Sequence, residues 1–331
     1  MQRFLYAKET FMRIYFAPME GVTDVYYRRV HHECFGGVDK YFVPFVSPTQ
    51  TMQWTPKELS EVLPENNPGM QVVPQILTKY AEHFLWAARG LADMGHTEIN
   101  LNMGCPSGTV TGKGKGSGLL RNLDALSAFL DEIFTHAPLK VSLKTRIGYL
   151  TEEEWPALLE VLCRYPASEL IIHPRTRKQF YKGVPFDDFY ASAFERCQVP
   201  VVVNGDLFNP EKVHKMLDRY PDASAVMLGR GLIGNPALAQ ELKGGEPLAR
   251  EKLLTFHDKL CQTYLEEGGP VLAMVRMRMI TYYISSCFAD PHKPWKIIRK
   301  ARTFDDYLEG AKMLFGEHEM IENPYYSVLE D

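Results

Sequence analysis

The sequence predicts an α/β protein, a parallel eight-stranded (β/α)8 barrel followed by a smaller all-helical C-terminal domain. Three observations predict it. Eight short apolar runs recur up to Leu228, most of them separated by segments of helical period. Polar residues fall at the C-terminal end of almost every run: Gln75, Asn100, Asn102, Lys144, Arg146, His173, Asn204 and Asp206. A barrel of the TIM type gathers many strand ends at one mouth, whereas an open doubly wound sheet uses a single crevice, so this distribution favours the barrel. Beyond Lys243-Gly244-Gly245-Glu246-Pro247 no strand pattern returns, which places a domain boundary there.

Residues 1–11 have no periodicity and read as an N-terminal tail. Met12 directly precedes the first strand and is an alternative start. The barrel is expected over 12–243. Its strands fall at Arg13–Ala17, Tyr41–Val46, Gln71–Leu77, Glu98–Met103, Lys140–Ile147, Glu169–His173, Val199–Asn204 and Ala225–Leu228. Helices are expected near Val25–Glu33, Lys79–Met94, Leu123–Thr135, Glu152–Tyr165 and Pro210–Arg219. The helical domain, 246–320, carries segments near Leu248–Glu266, Val271–Ser285, Pro294–Arg302 and Phe304–Phe315, and 321–331 reads as a loose tail.

The 331 residues are 45% hydrophobic and 24% charged, an ordinary globular balance, and the formal net charge is −4. A chain without positive excess is no generic nucleic-acid binder, so any RNA contact needs a local basic patch. Such a patch exists. Residues 270–303 hold Arg276, Arg278, Lys293, Lys296, Arg299, Lys300 and Arg302 against one acid, Asp290, with Tyr282, Tyr283 and Trp295 interleaved. A solvated face is the ordinary meaning of scattered cations, but the near absence of acids favours a phosphate backbone partner. No apolar run reaches membrane-spanning length and no signal-peptide order opens the chain, which predicts a cytoplasmic protein. Six dispersed cysteines without a Cys-x-x-Cys predict free thiols, no zinc site and no disulfide framework.

The chemistry centres on Asn100-Leu101-Asn102-Met103-Gly104-Cys105-Pro106-Ser107. Inward asparagines are costly in a core unless something polar meets them, so this strand end is expected to face a ligand. A glycine-rich loop with Lys113 and Lys115 follows, and its backbone can approach a partner closely. Lys144 and Arg146, two apart on one strand, share a face at the mouth, and such cations need an anion or another electron-rich acceptor, though an ion-paired barrel couple would also explain them. His173 fits either the site or the core. Asn204-Gly205-Asp206 and Gly229-Arg230-Gly231 end the last two strands, where barrels commonly bind phosphate.

Taken with Ala17-Pro18-Met19-Glu20-Gly21-Val22-Thr23-Asp24, Pro74-Gln75, Lys144-Thr145-Arg146-Ile147-Gly148 and His173-Pro174-Arg175-Thr176, the chain from about Arg13 to Phe315 resembles the tRNA-dihydrouridine synthases. The resemblance implies an FMN-carrying barrel and a helical domain that helps hold tRNA. It implies that Ala17, Pro18 and Met19 pack on the flavin, that Gln75 bonds the ring edge, and that Lys144 stabilises negative charge on the ring, with Arg146 and His173 also at the cofactor. Asn204, Gly205, Asp206, Gly229 and Arg230 would hold the phosphate. NADPH or NADH would reduce the flavin, hydride would pass to C6 of a uracil, and Cys105 would protonate C5. A thiol ordinarily titrates near pH 8.5, which makes it a competent acid at neutrality. Asn102, Lys113, Lys115, Arg276, Arg278, Lys296 and Arg299 would meet the tRNA. Pro174 departs from the glycine more common in the family after the histidine. Two other readings stay open, a flavin barrel acting on a small molecule as dihydroorotate dehydrogenases do, and an RNA-binding barrel without chemistry. The basic helices speak against the first, Cys105 and Lys144 against the second. A monomer is the default expectation.

Overall fold

The computed structural model describes residues 12–327; the expectations for 1–11 and for the last four residues lie outside them. Nine parallel strands build the nearly closed barrel: β1 (Ile14–Phe16), β2 (Lys40–Phe42), β3 (Val72–Val73), β4 (Gln75–Ile76), β5 (Glu98–Met103), β6 (Lys140–Gly148), β7 (Leu170–Thr176), β8 (Val201–Asn204) and β9 (Ala225–Leu228). Their order is β3-β2-β1-β9-β8-β7-β6-β5-β4. Every residue of β5, β7, β8 and β9 is buried, as parallel strands covered on both faces must be.

Nine strands replace the expected eight because Pro74 splits the run 71–77. Proline has no N–H to give to a ladder. Val73 therefore pairs with Phe42 on β2, while Gln75 pairs with Asn100 on β5. The Pro74 carbonyl still accepts from the Asn100 N–H at 2.9 Å, and an isolated bridge from Val46 to Ile76 ties the seam.

The helices are α1 (Val25–Cys34), α2 (Pro56–Val62), α3 (Ala81–Asp93), α4 (Gly108–Thr111), α5 (Leu123–His136), α6 (Trp155–Leu162), α7 (Phe189–Arg196), α8 (Pro210–Arg219), α9 (Arg230–Gly234), α10 (Leu238–Leu242), α11 (Arg250–Ser285), α12 (His292–Lys300) and α13 (Phe304–Glu317). Sequence periodicity missed α2, α4, α7, α9 and α10, none of them longer than eight residues, which gives a 3.6-residue pattern little length to show.

Two compact units share the chain. One comprises Lys40–Gly205 and Met216–Met227. At the N-terminal ends of its strands, Lys40 Nζ lies 2.7 Å from Glu98 Oε2 and 2.9 Å from Glu169 Oε2, a buried triad. This unit also overturns the expectation of six free thiols. Cys163, which caps α6, and Cys197, which caps α7, form a disulfide with Cα atoms 5.0 Å apart. The two helix ends meet only in the fold, so their separation of 34 residues carries no motif.

The other unit contains the described residues up to Asp39, Asp206–Lys215 and the described residues from Leu228 on. α11 is two helical segments broken at Gly269, whose φ of 73° is left-handed, with Pro270 next. That break matches the two helices expected there. In the core, Tyr307 meets His257 Nε2 at 2.7 Å and Thr281 Oγ1 at 2.9 Å. The expected loose tail is packed as far as it is described. Ile321 N–H donates to the Cys287 carbonyl at 3.0 Å, and Tyr326 is only 2% exposed. Among the described residues no helix is long and apolar enough to cross a membrane, and no group of His, Cys, Asp or Glu could hold a metal ion.

Candidate active site

The end of β5 organises the first unit's polar cluster. Asn102 turns its carboxamide back on its own chain, where Oδ1 accepts from the N–H groups of Gly104 (3.0 Å) and Cys105 (2.9 Å). Its Nδ2 donates to Gln75 Oε1 at 2.7 Å. Gln75 in turn donates to Asn100 Oδ1 at 2.7 Å, and Asn100 donates to Ser142 Oγ at 3.0 Å. The buried amides so satisfy one another, which removes the cost of burial without requiring a ligand. What the chain of amides fixes is the turn that carries Cys105.

The glycine-rich loop closes over the same turn. Ser117 donates through both its N–H (3.1 Å) and its hydroxyl (2.8 Å) to the Cys105 carbonyl. Gly116 has φ 57°, and a Cβ there would stand 2.9 Å from Cys105 O and 3.0 Å from Cys105 Cβ, so only glycine fits. Cys105 itself stays half-buried, unlike Cys261 and Cys287, which lie in the interior of the other unit with their thiols pushed up by burial.

Lys144 on β6 donates to Asn204 Oδ1 at 2.9 Å. Asn204 is aimed by its neighbours: its Nδ2 donates to the Met227 carbonyl at 2.7 Å, and its N–H donates to the Tyr190 hydroxyl at 2.8 Å. Burial, with Arg146 as a second cation nearby, brings the Lys144 pKa down to about 7, and Cys105 acts in the opposite direction. Strand register sets Asn102 opposite Lys144, and a Cβ on Gly104 would lie 3.6 Å from the Lys144 carbonyl, so the Cys105 turn and Lys144 are neighbours. Lys144 has no carboxylate partner among the described residues.

Arg146 differs from Lys144 despite sharing its face. Nε donates to the Gly104 carbonyl at 2.8 Å, and Nη1 to those of Thr176 (2.9 Å) and Phe180 (2.7 Å). It ties the Cys105 turn to the loop after β7. Arg175, to which the sequence reading gave no role, donates Nη1 to His173 Nε2 at 3.1 Å and Nη2 to the Gly183 carbonyl at 2.6 Å. A guanidinium only donates, so in this pairing His173 Nε2 is the acceptor. The signal was available: residues two apart on a strand share a face. Gly205, at φ 128°, lets its backbone approach His173, whose Cδ2 would lie 3.1 Å from a Cβ.

The second unit carries the remaining motif residues. Ala17 donates its N–H to Leu228 O at 2.8 Å, and Met19 is fixed by the Thr23 hydroxyl at 2.9 Å. A Cβ on Gly229 would lie 3.5 Å from both Ala17 Cβ and Met19 Sδ, so these three residues are neighbours. Arg230 Nη2 donates to Asp206 Oδ1 at 2.5 Å. Pro18 sits between Ala17 and Met19, half-buried.

The residues expected to meet nucleic acid sort by exposure. Lys113, Lys296 and Arg299 are exposed, while Lys115 and Arg278 are half-buried, with Lys115 Nζ donating to Ser47 Oγ at 2.9 Å. Arg276 points inward. It donates to the Gly21 carbonyl and lies 3.4 Å from Asp24 Oδ2, while Tyr264 donates to Asp24 Oδ1 at 2.8 Å. Its cation therefore anchors the loop that follows β1.

Residues 15–300 match the family model described as Dihydrouridine synthase. The tRNA-dihydrouridine synthase B of Escherichia coli (strain K12) is 32% identical over 235 residues, which cover 70% of this chain and 71% of that protein. The probable tRNA-dihydrouridine synthase 2 of Bacillus subtilis (strain 168) is 31% identical over 258 residues, 76% of this chain and 78% of that one. Among solved structures, morphinone reductase superposes with a TM-score of 0.52 at 14% identity, over 72% of this chain and 88% of that chain. The old yellow enzyme homologue of Zymomonas mobilis gives 0.53 at 12%, over 72% and 90%. These two speak to the barrel fold alone. With the motif turns in place along most of its length, the chain belongs to the dihydrouridine synthase family.

Proposed function

We propose that this chain reduces the C5–C6 double bond of particular uridines in tRNA to 5,6-dihydrouridine, with FMN as resident cofactor, NADPH or NADH as reductant and Cys105 as the proton donor to C5. The observation that carries the reading is the neighbourhood of Cys105 and Lys144, a half-buried thiol on a rigid turn beside an ammonium whose polar partner is a neutral amide.

The residues present fit a flavin. A partly buried cation without a carboxylate gains most from a group that becomes anionic beside it, and Lys144 is such a cation. Gly229, Ala17 and Met19 offer a closely packed, largely apolar surface. On this reading Ala17, Pro18 and Met19 bear on the ring, Gln75, Lys144 and His173 meet its polar edge, and Asn204, Gly205, Asp206, Gly229 and Arg230 hold the ribityl phosphate. Arg146 serves by fixing the two loops it joins. FMN, when bound, supplies to C6 of the uracil the hydride taken from the nicotinamide.

The chain's own residues do the rest. Asn102 and Ser117 hold the Cys105 turn still, so that the thiol delivers its proton to one carbon. His173 is oriented through Nε2 by the Arg175 guanidinium. A uracil has to leave the RNA stack to reach such a site, and the exposed cations Lys113, Lys296 and Arg299, with Lys115 and Arg278, attract the backbone that carries it. Arg276 acts on the loop after β1 rather than on RNA. A tRNA substrate places the work in the cytoplasm, with residues 246–320 as the tRNA-binding domain.

The test is to incubate the purified chain with FMN, NADPH and unmodified tRNA transcript and to digest the product for mass spectrometry. The expected outcome is a yellow protein and a uridine that has gained two hydrogens. A chain that binds no flavin and leaves the transcript unchanged overturns the proposal.

A further inference from the structure

The C-terminal segment lies beyond the stretch that matches the family model, which ends at residue 300, yet its Tyr326 is buried against Arg230. The guanidinium carbon of Arg230 is 5.7 Å from the centroid of the Tyr326 ring and 5.2 Å from that of Phe208. The two rings touch each other edge to face, with centroids 5.0 Å apart and planes at 80°. Arg230 is thus held by two aromatic rings, while Asp206 accepts from Nη2.

The segment is fastened at several points to the elements around Arg230. Asn235 Nδ2, just past α9, donates to the Pro324 carbonyl at 2.9 Å, and the Ser327 N–H donates to Ser286 Oγ at 3.2 Å. A Cβ on Gly234 would fall 2.4 Å from the Tyr326 Cβ, so the tyrosine lies directly on the α9 backbone. Tyr283 completes the enclosure, with ring centroids 5.4 Å apart.

From this packing we infer that Tyr326 is a positioning residue for cofactor binding, setting the direction of the Arg230 guanidinium so that it meets the phosphate of FMN; the inference rests on the cofactor reading given under Proposed function. A guanidinium carries five N–H donors in a fixed plane, so its usefulness to a phosphate depends on how that plane is turned. Arg230 has a carboxylate on one edge already, and without the rings the guanidinium could turn to present a second N–H to it. Aromatic faces attract the cation without competing for its N–H groups, which holds the plane.

The test compares FMN with riboflavin, which lacks the phosphate, by fluorescence titration of the flavin-stripped full-length chain. The wild type should prefer FMN. Tyr326→Leu keeps apolar bulk but has no π face, and should weaken FMN binding roughly tenfold, the size of one such contact, with riboflavin binding unchanged. Tyr326→Phe should behave as wild type. In an Arg230→Gln background, Tyr326→Leu should add nothing further. Should the leucine variant not fold, pentafluorophenylalanine at position 326 keeps the ring's shape, reverses its electrostatic face and should give the same selective loss. Equal weakening of both flavins, or no change in either, overturns the inference. A wild-type chain that binds neither flavin overturns the cofactor reading itself.

Discussion

Two partly buried lysines of one compact unit keep opposite company. Lys40, at the start of β2, has two carboxylates within 2.9 Å. Lys144, well along β6, has the Asn204 amide, and its pKa falls to about 7. The ion triad sits at the N-terminal ends of the strands, where residues of such barrels serve stability, and the lone ammonium sits toward the C-terminal ends, where they serve chemistry. A cation that arrives with its anions is finished when the chain folds; one that arrives without them is complete only when something else supplies negative charge.

The largest effect should come from breaking the finished set. Lys40→Met leaves Glu98 and Glu169 buried with no cation and should cost about 3–5 kcal/mol in urea unfolding. Mild acid should return part of that loss, because one carboxyl can then take a proton. A similar contrast separates the thiols. Cys105→Ala should slow dihydrouridine formation by about 10² to 10⁴ while leaving reduction of the flavin by the nicotinamide intact in stopped-flow absorbance. If both half-reactions slow together, Cys105 positions the cofactor instead.

Lys144→Met should do the reverse of Lys40→Met and stabilise the flavin-free chain, by about 1–3 kcal/mol at pH 7. Between pH 7 and 10.5 the unfolded chain still binds the proton that folded Lys144 has released. More protons on the unfolded side mean that wild-type stability rises with pH across this window. The gap to Lys144→Met should therefore be widest at and below pH 7 and close as pH approaches 10.5, which denaturation series in matched buffers would show. The smallest effect belongs to the helical surface. Lys296→Glu with Arg299→Glu should weaken tRNA binding and flatten its dependence on salt by about one unit of slope per lost contact, with flavin content unchanged in filter-binding and absorbance assays.

The barrel was legible because almost every strand ends in polar residues after an apolar run, a pattern that survives without knowledge of partners. Its ninth strand was not, since reading Pro74 as a switch of partner rather than a flaw in one strand requires seeing that Val73 and Gln75 pair in opposite directions across the sheet. The polarity of Gln75, Asn100 and Asn102 was visible, but their mutual hydrogen bonds were not, because a side chain's partner is set by strand register. Arg276 looked like its exposed neighbours for the same reason: charge is written in the sequence, direction is not. The packing of Tyr326 depends on glycine at 234, far away along the chain, and neither residue alone hints at the other.

The disulfide between Cys163 and Cys197 makes the chain from α6 through β7 to α7 a covalent ring. Within that ring lie Tyr181 and Val184, 52% and 80% exposed, on the loop whose carbonyls Arg146 and Arg175 hold. A protease that nicks this loop would not part the molecule into two pieces. The nicked protein would migrate as one species on a non-reducing gel and as two after reduction, and the cut ends would still be gripped by two buried arginines. Damage at this exposed loop is in this way kept local.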